Sequence, residues 1–112
     1  MTGPKLVRDK IPDLIRADGR TPVVEVLPAD QRRPALLAKL LEEAAEAAEA
    51  SDVELAEELA DVLEVVRSLA ADLQVSWERV VELADHKREL RGGFDRGLVL
   101  VRAEREDSRR PS

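Results

Sequence analysis

The stretch LLEEAAEAAEASDVELAEELADVLEV, residues 40–65, decides the fold, and it contains ten acidic residues among alanine, leucine and valine. Apolar residues recur every three or four positions on both sides of Ser51, which predicts two helices. Ser51 and Asp52 indicate a break between them, because serine and aspartate favour helix starts. So short a connection makes the two helices antiparallel neighbours. The stretch therefore predicts an α-helical hairpin.

The flanking sequence predicts smaller elements around this hairpin. The expected helices span residues 11–17, 30–50, 52–73 and 76–92, with Asp30 and Ser76 as caps and Gly92 as a terminator. TPVVEVL (21–27) and GLVLVR (97–102) are rich in β-branched or aliphatic residues and predict two short strands that pair. We therefore expect an all-α hairpin or bundle with a small two-stranded β annex. We expect residues 1–104 to form one domain and residues 105–112 to form a frayed charged tail.

Length and composition narrow the class of protein. A chain of 112 residues buries a thin core, so completion of the bundle by oligomerisation is expected. The formal net charge of -6 disfavours a nucleic acid polymer or an anionic membrane surface as a partner. There is no cysteine, and no run approaches the ~20 apolar residues of a membrane helix. These features, with the lack of a signal-peptide pattern, predict a cytoplasmic protein.

The angular positions of the carboxylates indicate that some of them face inward. Glu58 lies in line with the apolar residues Val62, Val65 and Leu69 on the second long helix. Asp61 follows at the i+3 position, where its side chain can meet that of Glu58. An ionised carboxylate on an apolar stripe is costly unless it is paired or binds a metal. This geometry predicts that the carboxylates of Glu58 and Asp61 are paired or bind a metal.

Glu-Glu-x-x-Glu at 42, 43 and 46 faces Glu-x-x-Asp at 58 and 61 across the predicted hairpin. Carboxylates crowded in this way repel one another unless a divalent cation lies between them. Ligation by oxygen alone suits hard ions, so Mg²⁺ is the expected cofactor and Mn²⁺ a possible one. The competing interpretation is a helical dimerisation or binding module without catalysis, in which the same acids are solvated.

EEAAE followed by ELAD resembles the signature of the MazG-like all-α nucleoside triphosphate pyrophosphohydrolases, a superfamily that also includes phosphoribosyl-ATP pyrophosphohydrolase. KLVRDKIPDLI (5–15) and HKRELRGGFDRGLVL (86–100) are similar to a compact house-cleaning branch of that superfamily. The resemblance covers residues 5–101. It implies Mg²⁺-dependent hydrolysis of a nucleoside triphosphate between the α and β phosphates. Phosphoribosyl-ATP is the alternative substrate, and a homodimer or a dimer-based tetramer is the implied assembly.

The resemblance also implies roles for individual residues. The metal ligands would be Glu43, Glu46, Glu58 and Asp61. Glu42, the first carboxylate of the motif, would be the catalytic residue and would act as an outer ligand or a water-orienting base.

Four cations are candidates for binding the phosphates of the nucleotide. Lys87 and Arg91 lie one turn apart near Gly92, where they can equally well pair with the helix C-terminus. Arg8 and Lys10 belong to a basic segment that either closes over phosphates or is an ordinary solvated arm.

Overall fold

The computed structural model describes residues 5–106, and these form four helices. They are α1 (Ile11–Ala17), α2 (Ala29–Glu49), α3 (Asp52–Asp72) and α4 (Trp77–Arg91). Helices α2 and α3 make the most extensive helix–helix contact, and α3 meets α4 over a smaller area. The predicted all-α class is therefore confirmed, and α2 and α3 are the predicted hairpin.

The turn between α2 and α3 consists of two residues. Ala50 and Ser51 both have extended backbone conformations, with ψ of 149° and 163°, which reverse the chain. The Ser51 hydroxyl donates a hydrogen bond to Glu54 Oε1 at 2.8 Å. At the other end of the hairpin, Arg33 Nε donates to Asp72 Oδ2 at 2.8 Å. The two helices are thus joined near both ends, which holds their facing side chains in one register.

Local capping rules account for most helix boundaries. Ser76 accepts a hydrogen bond from the Arg79 amide at 3.1 Å, as expected of an N-cap. Gly92, with φ of 82°, follows the last residue of α4, where left-handed backbone favours glycine. The prediction that Asp30 caps α2 was wrong, because Pro28 occupies the N-cap position and Asp30 lies in the first turn.

The predicted β annex was also wrong, because within residues 5–106 neither 21–27 nor 97–102 forms a strand. A strand requires another segment to pair its backbone groups, and neither of these segments supplies that pairing to the other. Their apolar side chains are exposed, with Val23 at 96% and Val99 at 84%. Residue preference alone, without a partner, does not make a strand.

The chain encloses very little apolar surface by itself. Among the described residues, Val65 and Ala70 are the buried apolar side chains. The accessible surface is 10489 Å², whereas a compact protein of this mass exposes about 6,100 Å². The radius of gyration is 20.9 Å, against about 13 Å for a compact chain of this length. The described chain therefore leaves most of its large apolar side chains exposed.

Membrane insertion finds no support in the helices. Within the part of the chain that the structure describes, none of them combines the length and the apolar character that a bilayer crossing requires.

Candidate metal centre

Three carboxylates meet beside the turn of the hairpin. One oxygen each from Glu43, Glu58 and Asp61 lies within 4.8 Å of the other two. The positions of the residues in the two helices explain why these carboxylates lie close together. Glu43 lies six residues before the end of α2, and Glu58 lies six residues after the start of α3, so an antiparallel hairpin places them level. Asp61 lies almost one turn further along α3, on a neighbouring part of its surface.

The cluster lacks partners for two of its buried oxygens. Glu43 is only 7% exposed, and Oε2 of Glu43 and Oε2 of Glu58 are buried without a hydrogen-bond partner among the described residues. A buried polar atom without a partner costs free energy, and a buried charge costs more. A cation would satisfy both oxygens. Because every donor is a carboxylate oxygen, the set fits a hard divalent ion such as Mg²⁺ or Mn²⁺.

Crowding within the cluster changes the protonation of two acids. Burial raises the pKa of Glu58 above its ordinary value of 4.5, and the charges of Asp61 and Glu43 add to this rise. The charge of Glu43 raises the pKa of Glu46, and burial and a hydrogen bond with the same carboxyl group add to the effect. Burial is the largest cause of the shift at Glu58 and the charge of Glu43 is the largest at Glu46. A bound cation would relieve the charge repulsion that contributes to both shifts.

We expect the metal-free protein to become more stable as the pH falls from 7 towards 5. A carboxyl group with a raised pKa binds protons more tightly in the folded state than in the unfolded state, so its contribution to stability falls as the pH rises through that pKa. Melting temperatures measured in EDTA across this range should rise less for Glu58→Gln than for the parent. Equal rises in both proteins would contradict the assigned cause. With Mg²⁺ present the trend should weaken or reverse, because metal binding needs deprotonated ligands.

Cations surround the cluster on its outer side. Lys39 Nζ lies 3.3 Å from Glu43 Oε1 and 3.6 Å from Glu42 Oε2. Lys5 Nζ lies 3.4 Å from Glu42 Oε1, and Arg8 Nη2 donates to Asp61 Oδ1 at 2.6 Å. Burial lowers the pKa of Lys39, but the combined effects of Glu43 and Glu42 outweigh it and raise this pKa above 10.5. Lys39 therefore stays charged and neutralises one side of the cluster.

The remaining predicted acids lie next to the three that meet. Glu46 is exposed on α2, and its raised pKa shows that it lies in the field of Glu43. Glu42 lies outside the group of three, where its carboxylate accepts contacts from Lys5 and Lys39. Glu42 also contributes to the raised pKa of Glu46. The five predicted acids therefore interact electrostatically, and Glu42 is the one that pairs with both Lys5 and Lys39.

The predicted cations separate into two groups. Arg8 reaches the cluster through Asp61, whereas Lys10 is exposed at the start of α1. Lys87 and Arg91 are exposed in the second half of α4. Across residues 5–106, none of these last three forms an ion pair with the cluster. The single chain therefore brings one of the four predicted phosphate-binding residues to the site.

Sequence analysis missed Lys5 and Lys39. Lys39 had a usable signal, because it precedes Glu43 by four residues and such pairs meet on a helix surface. No local sequence signal indicated Lys5, because its contact with Glu42 depends on how the amino-terminal segment crosses α2.

The fold and the site together define a helical-hairpin protein with a carboxylate cluster that could hold a metal ion. The profile of the phosphoribosyl-ATP pyrophosphohydrolase family matches residues 13–88, and the chain belongs to this family, within the MazG-like all-α nucleoside triphosphate pyrophosphohydrolase superfamily. The family is one of pyrophosphohydrolases, which are hydrolases that act on phosphoric anhydrides.

A relative with high local identity adds sequence support without adding a function. An uncharacterised protein of Mycolicibacterium smegmatis is 62% identical over 42 residues, which cover 38% of this chain and 43% of that protein. The chain thus matches less than half the length of this curated relative. No solved structure matches the chain.

Proposed function

We propose that this protein is a Mg²⁺-dependent pyrophosphohydrolase that cleaves a nucleoside triphosphate between its α and β phosphates. The products are the monophosphate and pyrophosphate. The observation that carries the proposal is the group of three carboxylates, two with buried unpartnered oxygens, on the hairpin of a pyrophosphohydrolase family. A house-cleaning role in the cytoplasm, acting on non-canonical nucleotides, agrees with the composition and with the resemblance described above.

The metal ligands are Glu43, Glu58 and Asp61, with Glu46 as the fourth. Glu46 lies in the electrostatic field of Glu43 and Glu58, and its place in the motif of the resembling family supports its assignment as the fourth ligand. When bound, the cation would neutralise phosphate charge and make phosphorus more open to attack by water. Mn²⁺ could replace Mg²⁺, since both favour oxygen ligands.

Glu42 is the residue best placed to take the proton of the attacking water. Its side chain is one-third exposed, so water reaches it, and it adjoins the cluster without being one of the three that meet. A carboxylate that is not fully engaged by metal can act as a general base. Glu42 therefore completes the catalytic assignment.

The phosphate-binding cations are Arg8 and Lys10 from the amino-terminal segment and Lys87 and Arg91 from α4. Arg8 already lies at the cluster, where it pairs with Asp61. Within the described residues the other three form no ion pair with the cluster of their own chain, and we assign Lys87 and Arg91 to the site of a neighbouring subunit. Electrostatic stabilisation dominates phosphoryl transfer, and several such cations are therefore required.

The assembly that we propose is a homodimer or a dimer-based tetramer. The exposed leucines of the hairpin support it, because they form one i,i+4 pair on each helix, namely Leu37 with Leu41 and Leu59 with Leu63. Association through these residues would complete the core that one chain leaves open.

Phosphoribosyl-ATP is the second candidate substrate, and the description of the matching family favours it. This compound contains the same linkage between α and β phosphates, so the cluster would serve both substrates in the same way. The difference must lie in groups that recognise the base and the second ribose phosphate.

Pyrophosphate release from a panel of nucleotides tests the proposal. Purified protein with millimolar Mg²⁺ is expected to release pyrophosphate from at least one canonical, deoxy or oxidised nucleoside triphosphate. Phosphoribosyl-ATP, assayed in parallel, separates the second candidate from the first. The non-catalytic module predicts no release from any compound, and that result would overturn the proposed activity.

A further inference from the structure

Two segments outside the helices expose runs of apolar side chains. They are residues 21–27, between α1 and α2, and residues 97–102, after α4. Val23, Val24 and Val26 in the first segment and residues 98–101 in the second are all at least 52% exposed. Single exposed aliphatic residues are common on protein surfaces, whereas contiguous apolar patches mark contact sites. Both segments are therefore candidate contact surfaces.

The backbone of the two segments also lacks partners. Within residues 5–106, no amide or carbonyl group of residues 21–27 or 98–102 forms a hydrogen bond with another backbone group. A row of unpaired amide and carbonyl groups is a template for pairing with another chain. The valines of both segments favour a strand as soon as such a partner is present.

The charges of the segments favour pairing of one with the other over pairing of either with its own copy. The 21–27 segment carries one charged residue, Glu25, whereas the 97–102 segment directly follows Arg96 and ends at Arg102. Neither Glu25 nor Arg96 forms an ion pair in the part of the chain that the structure describes. Opposite charges stabilise a pair of strands, and like charges destabilise it. The better complement of the 21–27 segment is therefore the 97–102 segment.

We propose that the 21–27 segment of one copy pairs with the 97–102 segment of a second copy as two adjacent β-strands. Each copy supplies both segments, so a two-fold dimer contains this pairing twice and leaves neither segment without a partner. This closure favours a second copy of the chain over a different protein as the occupant. Two strands alone are only marginally stable in water, so the pairing adds to the proposed contact between leucines and depends on it.

The strand pairing connects two helices of different subunits. The 97–102 segment follows α4, which carries Lys87 and Arg91, and the 21–27 segment leads into α2, which carries Glu43. Pairing thus joins the end of α4 in one copy to the start of α2 in the other. Such a connection supports the assignment of Lys87 and Arg91 to a neighbouring subunit, whereas the pairing itself does not depend on the proposed activity.

Amide hydrogen exchange of the purified protein tests the pairing. In the oligomer, the amides of residues 23–27 and 98–102 should exchange about tenfold more slowly, or slower still, than in the unfolded chain. The double variant Val99→Pro/Leu100→Pro removes two successive amides, one of which must face the partner strand. It should abolish the protection of both segments, including residues 23–27. The control Ala103→Pro/Glu104→Pro places two prolines just outside the segment and should keep the protection.

Cysteine cross-linking tests whether the partner is a second copy. The chain has no cysteine, so each introduced thiol is unique. Val23→Cys protein and Val99→Cys protein, unfolded and refolded together, should give a product that joins one peptide from each when treated with a short bismaleimide. Leu100→Cys covers the other face of the strand. Val53→Cys replaces Val23→Cys in the control, because Val53 is 91% exposed on α3 and lies outside both segments.

Protection of both segments, together with cross-links above the level of the control, is the expected result. A monomeric parent, or rapid exchange of either segment in an oligomeric parent, would overturn the pairing. Protection without cross-links between the two single variants would show that the partner is not the corresponding segment of a second copy. Circular dichroism reports whether the proline variant keeps its helices, and if it does not, the cross-links decide. Nucleotide hydrolysis by a protein whose two segments exchange rapidly would reject the pairing alone.

Discussion

Replacing Glu58 with glutamine is expected to lower pyrophosphate release by on the order of 100-fold or more. The change alters a proposed ligand whose Oε2 is buried and unpartnered in the cluster with Glu43. It should also abolish stabilisation by Mg²⁺, which at ten times the dissociation constant contributes about 1.4 kcal/mol by mass action. Pyrophosphate release and melting temperatures, measured with and without Mg²⁺, give the two readouts.

Glu57→Gln is the control for this experiment, because Glu57 is the exposed neighbour of Glu58 on α3. It should keep both the turnover and the metal-induced shift of the parent. Without metal, Glu58→Gln should melt at a higher temperature than the parent, since one repelling charge is gone. Turnover and a Mg²⁺ shift that both survive in Glu58→Gln would show that Glu58 is not a ligand.

The second large effect that we expect concerns the assembly. The purified protein should have a mass of two or four times 12.4 kDa, with no monomer at micromolar concentration. A single chain buries too little apolar surface to offset the entropy cost of ordering it, so folding and association should be inseparable. Light scattering during size-exclusion chromatography measures the mass, and melting temperatures at several protein concentrations test the linkage.

Leu59→Lys should break this assembly, because Leu59 is 55% exposed within its own chain and belongs to the leucine pair on α3. Val53→Lys is the matched control: Val53 lies on the same helix, is 91% exposed, and belongs to no such pair. The control should keep the parent mass. A parent that runs at 12.4 kDa with a concentration-independent melting temperature would rule out the proposed interface.

Sequence patterns predicted the helices because the signals for a helix are local. The break at Ser51, the cap at Ser76 and the terminator Gly92 all act within one turn of the residues that they order. Residues 21–27 failed as a strand because strand formation depends on a distant partner that composition does not reveal. The difference between the successes and the failure is therefore the distance over which the stabilising contact acts.

The same distinction holds for the candidate site. The position of Glu58 on the apolar stripe of α3 and its i,i+3 spacing to Asp61 are local features of the sequence. The structure brings these two residues together with Glu43. The ligand roles of the acids remain predictions. The pairing of Lys5 with Glu42 could not be predicted, because it depends on the path of the amino-terminal segment over α2.

The long-range ion pairs of the amino-terminal segment also set the order in which the site is built during synthesis. Arg8 and Asp61 are 53 residues apart, whereas α2 and α3 meet across a two-residue turn. Local contacts form early and long loops close late, so the helices of the hairpin should join first. Lys5 and Arg8 are synthesised before their partners Glu42 and Asp61, and their ion pairs cannot form until the hairpin is made. The part of the chain made first thus completes its contacts with the carboxylate cluster last.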